Sequence, residues 1–372
     1  MKEIYPLKQL EIQIFSNGEI KEELAALPRY FERYDTMGGI NNRHLPKFEE
    51  KFSRLTGRTA TAINGCTNGI YLALKRLGLQ GDPVLVPPVT FFGVGASILK
   101  AGGIPVYTRT TPDGLMDVDS CFEALDQRFF GKLPKAVIPC HINSRFNDSR
   151  RLNGLIEVIE DAASAFGTRT PEGECIVSST NNISIISFSY GKPLTAGEGG
   201  LMFSNDETSR WIKGHRYCGL ENMDGMYGYG VFNVIEPDLK FPYQAVSAML
   251  ILEKLKRFDS QLTRRREIAK FYDQQFGRRN QIELYQNGNQ LTYMLISNHR
   301  DMIQSKLNEA GIKSYYNHRP MYKLDAFKNY PGVDNFKETT EDYFDKVLHI
   351  PCRHDLSDQE VEYIAETVGS VL

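Results

Sequence analysis

The chain has 372 residues, with 44 basic and 46 acidic side chains, a formal charge of -2, 41% apolar and 24% charged residues. So even a balance, without a long run of one sign, argues against nucleic acid as the main partner and against a disordered or fibrous chain. At about 150 residues per domain, the length suits two domains, or one large domain with a smaller appendage.

The opening Met1-Lys2-Glu3-Ile4-Tyr5-Pro6 lacks the apolar core of a signal peptide, which places the protein in the cytoplasm. The longest uncharged stretch, Val84 to Leu99, has 16 residues and contains Pro87 and Pro88. That is short for a bilayer span, so no membrane partner is expected. Six cysteines are scattered without a C-x-x-C pair, and they read as reduced residues, not a disulfide framework or metal site.

In chain order, weak helical patterning around Ile20 to Leu27 is followed by Gly38-Gly39, a flexible loop. Leu45, Phe48, Phe52 and Leu55 recur at helical spacing, which predicts an amphipathic helix over Leu45 to Thr56, stopped by Gly57. A strand at Thr59 to Ile63 leads into the polar turn Asn64-Gly65-Cys66-Thr67-Asn68-Gly69, and a helix follows from Ile70 to Leu77. Strand, glycine turn and helix together aim backbone N–H groups and a positive dipole end at an anion. Further strands are predicted at Pro83 to Val86, Ile104 to Thr108, Ala136 to Cys140 and Leu155 to Asp161. Their alternation with helices implies a mostly parallel sheet covered on both faces.

The apolar runs Ile183 to Phe188 and Leu201 to Phe203 read as buried strands. Between them, Lys192 is held in a glycine-rich turn by Gly191 and Pro193, which set its direction. One long helix is predicted from about Tyr243 to Phe276, and its Arg264-Arg265-Arg266-Glu267 run reads as a solvated face. The stretch from Cys218 to Phe241 reads as a long functional or interface loop. Beyond about residue 280 the elements become shorter, with segments at 290–297, 302–310, 339–347 and 358–368. The expected division is therefore a large α/β domain over residues 1–255 and a smaller α+β domain over 256–372, which takes in the end of the linking helix.

Asp161, Thr67, Thr90 and the Lys192 turn all fall just past the carboxyl end of a strand, where parallel sheets collect their ligands. A phosphorylated pyridine aldehyde would find what it needs there. Cys66, Thr67, Asn68 and Ser187 supply N–H groups and hydroxyls for a phosphate. Asp161 supplies a carboxylate for the ring nitrogen, Phe91 or Phe92 a flat partner for the ring, and Lys192 the amine. Plainer readings exist for each: Asp161 and Thr67 as helix caps, Phe91 as core, Lys192 as a surface lysine.

The segments from Val158 to Gly167 and from Ser187 to Gly200 resemble the signatures of the DegT/DnrJ/EryC1/StrS family of pyridoxal-phosphate aminotransferases, which have the fold type I architecture. The likeness extends through Gly65 to Gly69, Pro88 to Phe91, Pro139-Cys140-His141, Gln244-Ala245 and Leu348 to Pro351. The resemblance implies that Lys192 forms the Schiff base and shuttles the proton, and that Asp161 pairs with the pyridinium. It implies that Phe91 stacks on the ring while Thr67, Asn68 and Ser187 hold the phosphate.

Three departures stand out. Ser164 occupies the place of the family's Gln or His beside the cofactor's phenolic oxygen, and Cys66 replaces the glycine of the phosphate turn. The asparagine that the family brings from a neighbouring subunit has no clear counterpart near Pro237-Asp238-Leu239-Lys240-Phe241; Asn233 or Lys240 stands nearest, and Asp238 would repel a phosphate. The resemblance implies a homodimer that transfers an amine from glutamate to a keto-sugar, nucleotide-linked by preference. A dehydratase or aminodehydratase of the same family, or a non-catalytic regulatory protein with this fold, are the alternatives.

Overall fold

The computed structural model describes residues 12–13, 21–30, 44–221, 233–316 and 318–372. The expected Gly38-Gly39 loop and residues 222–232 of the long loop lie outside the described residues.

Seven strands form the main sheet: β1 Thr59–Ile63, β2 Pro83–Val86, β3 Ile104–Tyr107, β4 Ala136–Val137, β5 Glu157–Asp161, β6 Ile183–Ser187 and β7 Gly200–Ser204. Their order is β1-β7-β6-β5-β4-β2-β3. The block from β3 to β6 is parallel, while β7 runs antiparallel to both β6 and β1. The sheet is thus mostly parallel, as its strand and helix alternation predicts. Among the described residues the first helices are α1 Lys21–Ala26, α2 His44–Thr56, α3 Cys66–Arg76, α4 Phe92–Lys100, α5 Val118–Leu125 and α6 Asp206–His215. Side chains alternate across the strands and fill two layers. Met202 joins Ile70 and Leu74 of α3 on one face, whereas Leu201 and Phe203 join Phe48 and Phe52 of α2 on the other.

The predicted helix over 243–276 is two helices, α7 Ala245–Leu255 and α8 Phe258–Phe276. At the break, Lys256 and Arg257 donate their N–H groups to Glu253 and Lys254, a tightened turn three residues long. This turn lets Phe258 pack 4.9 Å from Phe166 and directly over Gly167, where no Cβ has room. The arginine run on α8 is also not a solvated face. Arg265 is buried, and Arg266 donates to the carbonyls of Gly288 and Gly167, tying α8 to the loops beside the sheet.

The remaining elements are β8 Thr292–Ile296, α9 Arg300–Glu309, α10 Phe336–Phe344, β9 Val347–Pro351 and α11 Asp358–Gly369. Strands β8 and β9 pair antiparallel with Met294 opposite His349. Leu295, Leu348 and Ile350 face a cluster with Ile268, Ile303 and Ile364 of α8, α9 and α11. Met294, Ile296 and Val347 face the main core instead, so the opposite face of this ribbon closes over the large sheet. All six cysteines are free.

Candidate active site

The predicted residues converge on a cavity of about 550 Å³ at the carboxyl ends of the strands. That volume lies within the ordinary range of ligand pockets. Its floor is the start of α3. The helix begins at Cys66, four residues earlier than the sequence pattern suggests, so Cys66, Thr67 and Asn68 form its first turn. The cap residue Gly65 offers no side-chain hydrogen bond, and the first three helical N–H groups have no intrahelical acceptor. Asn68 is steadied by donating to Asn64 Oδ1 at 2.8 Å. Cys66 has an ordinary helical backbone, so a side chain is accommodated where the family has glycine.

Strand alternation separates two neighbouring acids at the end of β5. Glu160 is engaged by Thr180 at 3.0 Å and by Ser184 at 2.5 Å, away from the cavity. Asp161 lines the cavity, and its Oδ1 accepts the Ala163 N–H at 2.9 Å. Lys192 enters from the loop between β6 and β7. Gly191 precedes it at φ 75°, a left-handed conformation that glycine adopts without strain. Gly199 lies against Tyr243, where an added Cβ would come within 2.0 Å of the ring. The loop is closed by Phe188 N–H to Gly199 and Tyr190 N–H to Gly197, at 2.8 and 3.1 Å. Lys192 Nζ donates to Ser164 Oγ at 2.8 Å. Ser164 thus reaches the lysine itself. Ser187 Oγ donates to Ser189, which in turn donates to Glu198.

Phe91 caps α4 and lines the cavity with 41% of its surface exposed. Asn233 lies outside the cavity of its own chain, donating to Glu221 at 2.6 Å, and Lys240 sits over the Tyr217 ring. Asp238 does not line the cavity of its own chain. It pairs with Lys75 Nζ at 2.9 Å and with Tyr71, both on the flank of α3.

Sequence reasoning missed part of the opposite wall. Ile142, Asn143 and Ser144 line it from a turn closed by Arg145 N–H to Ile142 at 2.9 Å, with both central residues at φ 58°. Two successive left-handed residues make a turn usually built with glycine or asparagine. His318 and His349 line it from the smaller sheet's side. Met321 and Tyr322, just beyond His318, are buried core. His349 alternates with Leu348 and Ile350 on β9 and therefore faces the cavity, its ring fixed by Thr292 Oγ1 at 2.9 Å and stacked on Tyr315. Burial, then the Lys192 charge, pushes His318 down to about 4; burial, then His318, pushes His349 down to about 3. Both imidazoles are neutral at physiological pH.

Residues 25–369 match the DegT/DnrJ/EryC1/StrS aminotransferase family. The chain belongs to this family. It is an aminotransferase that uses pyridoxal phosphate. Among its curated relatives are a UDP-4-amino-4,6-dideoxy-N-acetyl-beta-L-altrosamine transaminase of Campylobacter jejuni, 24% identical over 89% of this chain and 90% of that protein. A GDP-perosamine synthase of Vibrio cholerae is 26% identical over 89% of this chain and 92% of that one. The fold matches a family member from Brucella abortus at a TM-score of 0.84 and 23% identity, covering 96% of this chain and 99% of the other. Helicobacter pylori PseC, an aminotransferase of pseudoaminic acid biosynthesis, matches at 0.84 and 19%, covering 97% and 99%.

The cavity suits the family's cofactor. An uncapped helix start faces it at one end, while a buried carboxylate and a lysine amine stand in the same space.

Proposed function

We propose that this aminotransferase converts a keto-sugar, nucleotide-linked by preference, into an amino sugar with glutamate as amino donor. The carrying observation is the meeting of Lys192, Asp161 and the uncapped start of α3 in one cavity. The names of the relatives support the sugar and the nucleotide.

When bound, the cofactor supplies an electron sink for negative charge at the substrate carbon. The N–H groups of Cys66, Thr67 and Asn68, with the Thr67 and Ser187 hydroxyls, would hold its phosphate at the positive end of the helix. Asp161 would hold a proton on the ring nitrogen, and Phe91 would supply a flat partner for the ring. Lys192 would supply the amine for the cofactor's aldehyde and the base that moves a proton at the substrate carbon, with Ser164 Oγ setting where the amine rests. The neutral imidazoles of His318 and His349 could hydrogen-bond the hydroxyls of a sugar ring.

The protein is read as a homodimer. Phe91, Phe92 and Tyr190 are exposed near the cavity, and Val234, Ile235 and Leu239 are exposed on the segment after the long loop. A second copy would cover them and bring Asn233 to its partner's phosphate site.

Added pyridoxal phosphate should give the purified protein a visible absorbance that Lys192→Ala abolishes and glutamate bleaches. Absence of absorbance at saturating cofactor would refute the reading. Absorbance that glutamate leaves unchanged would refute the donor.

A further inference from the structure

Asp161 has a fixed backbone. Its N–H donates to Pro139 at 2.9 Å and its carbonyl accepts from His141 at 2.8 Å, within the sheet. Its carboxylate is another matter, because a side chain opening into a cavity can rotate unless something holds it. Two donors converge on Oδ1. One is the Ala163 N–H at 2.9 Å, and the other is the Cys66 thiol, 3.6 Å away. The thiol's other near acceptor is the Ile185 carbonyl, at 3.8 Å. Burial first, and the Asp161 charge next, push the Cys66 thiol well above its ordinary value, so it keeps its proton and acts as a donor. The Cys140 thiol is also buried and is raised in the same way, by burial and then by Asp161.

Cys66 is the first residue of α3, and its backbone belongs to the turn that would receive a phosphate. Its side chain reaches across to the acid meant for the ring nitrogen. One residue therefore connects the two ends of the cofactor site.

We infer that Cys66 is a positioning residue: its S–H, together with the Ala163 N–H, holds Oδ1 of Asp161 so that Oδ2 is the oxygen offered to the ring nitrogen. This rests on the functional reading above. A glycine at position 66 would leave the Asp161 carboxylate with the Ala163 N–H and the neighbouring Cys140 thiol, so Cys66 adds a restraint on Oδ1 that comes from the helix start itself.

The contact is tested first in protein free of cofactor. Iodoacetamide labelling of Cys66 is followed by peptide mass spectrometry, with the exposed Cys218 as internal reference. Asp161→Asn removes the charge that opposes the thiolate, so Cys66 should label several-fold faster relative to Cys218 at pH 8. An unchanged ratio overturns the contact. The positioning role is tested with pyridoxal phosphate by titrating the visible absorbance against pH. In Cys66→Ala the ring nitrogen should hold its proton less often, and an uncharged ring tolerates a second positive charge more readily. The midpoint should therefore move to higher pH by roughly half a unit or more, with weaker cofactor retention. Cys66→Ser should restore most of both. Equal midpoints and retention in wild type and Cys66→Ala overturn the positioning role. A wild type that takes up no cofactor refutes the functional reading instead, and the labelling ratio still decides the contact.

Discussion

Histidines 318 and 349 show at the scale of single residues what a site costs. Each would carry a proton with an ordinary pKa near 6.5 in the unfolded chain, but the folded protein holds them down to about 4 and about 3. Between those values and 6.5 the unfolded state binds more protons, so their contribution to stability is present above about pH 6.5 and is lost as pH falls. At pH 5 the loss should be of order 2 kcal/mol per histidine, measurable as a lower denaturant midpoint than at pH 7.5. His318→Gln should flatten that dependence. A midpoint that stays constant from pH 7.5 to 5 would contradict the burial described here. Neither histidine was legible as a site residue. An imidazole on a short strand or an irregular segment carries no local signal, and only the fold shows which face it takes. Lys192, Asp161 and Thr67 were legible because each lies at or within five residues of the carboxyl end of an apolar strand. Ser164 was legible as a departure, though its contact with the lysine amine was not.

Helices α3 and α4 govern the site at the scale of elements, and they meet at Gly93. A Cβ there would come within 2.6 Å of the Phe91 ring and 2.7 Å of Thr67 Oγ1. Gly93→Ala should therefore displace both and weaken pyridoxal phosphate binding about tenfold, or 1.4 kcal/mol, by equilibrium titration. Affinity equal to wild type would show that neither group touches the cofactor. Strand positions could be read closely from β-branched runs, as at Thr59–Ile63 and Pro83–Val86. Helix limits were harder. The early start of α3 depends on an uncapped glycine, and the break between α7 and α8 depends on Phe258 finding Phe166 and Gly167 far away in sequence. Local pattern does not record such long-range packing.

For the whole molecule, the question is whether one copy completes another. Asn233 stands outside its own cavity, and exposed aromatic residues stand near the cavity. If the copies share sites, mixing Lys192→Ala with Asn233→Ala protomers gives heterodimers in which one site keeps both residues intact. Activity should then rise above the mean of the two parents after subunit exchange. Recovery no greater than that mean would confine each site to its own chain. Composition and strand alternation announced the mostly parallel sheet. They said little about how the β8–β9 ribbon closes over it, because that contact joins segments more than a hundred positions apart.

The cavity wall draws on positions from Asn64 to His349. A chain that has built its seven-stranded sheet but not yet docked the ribbon owns only half a container. Docking of the ribbon then closes the side of the cavity that Thr292 and His349 line, opposite the residues assigned to the cofactor, so its loss should impair substrate capture more than cofactor capture.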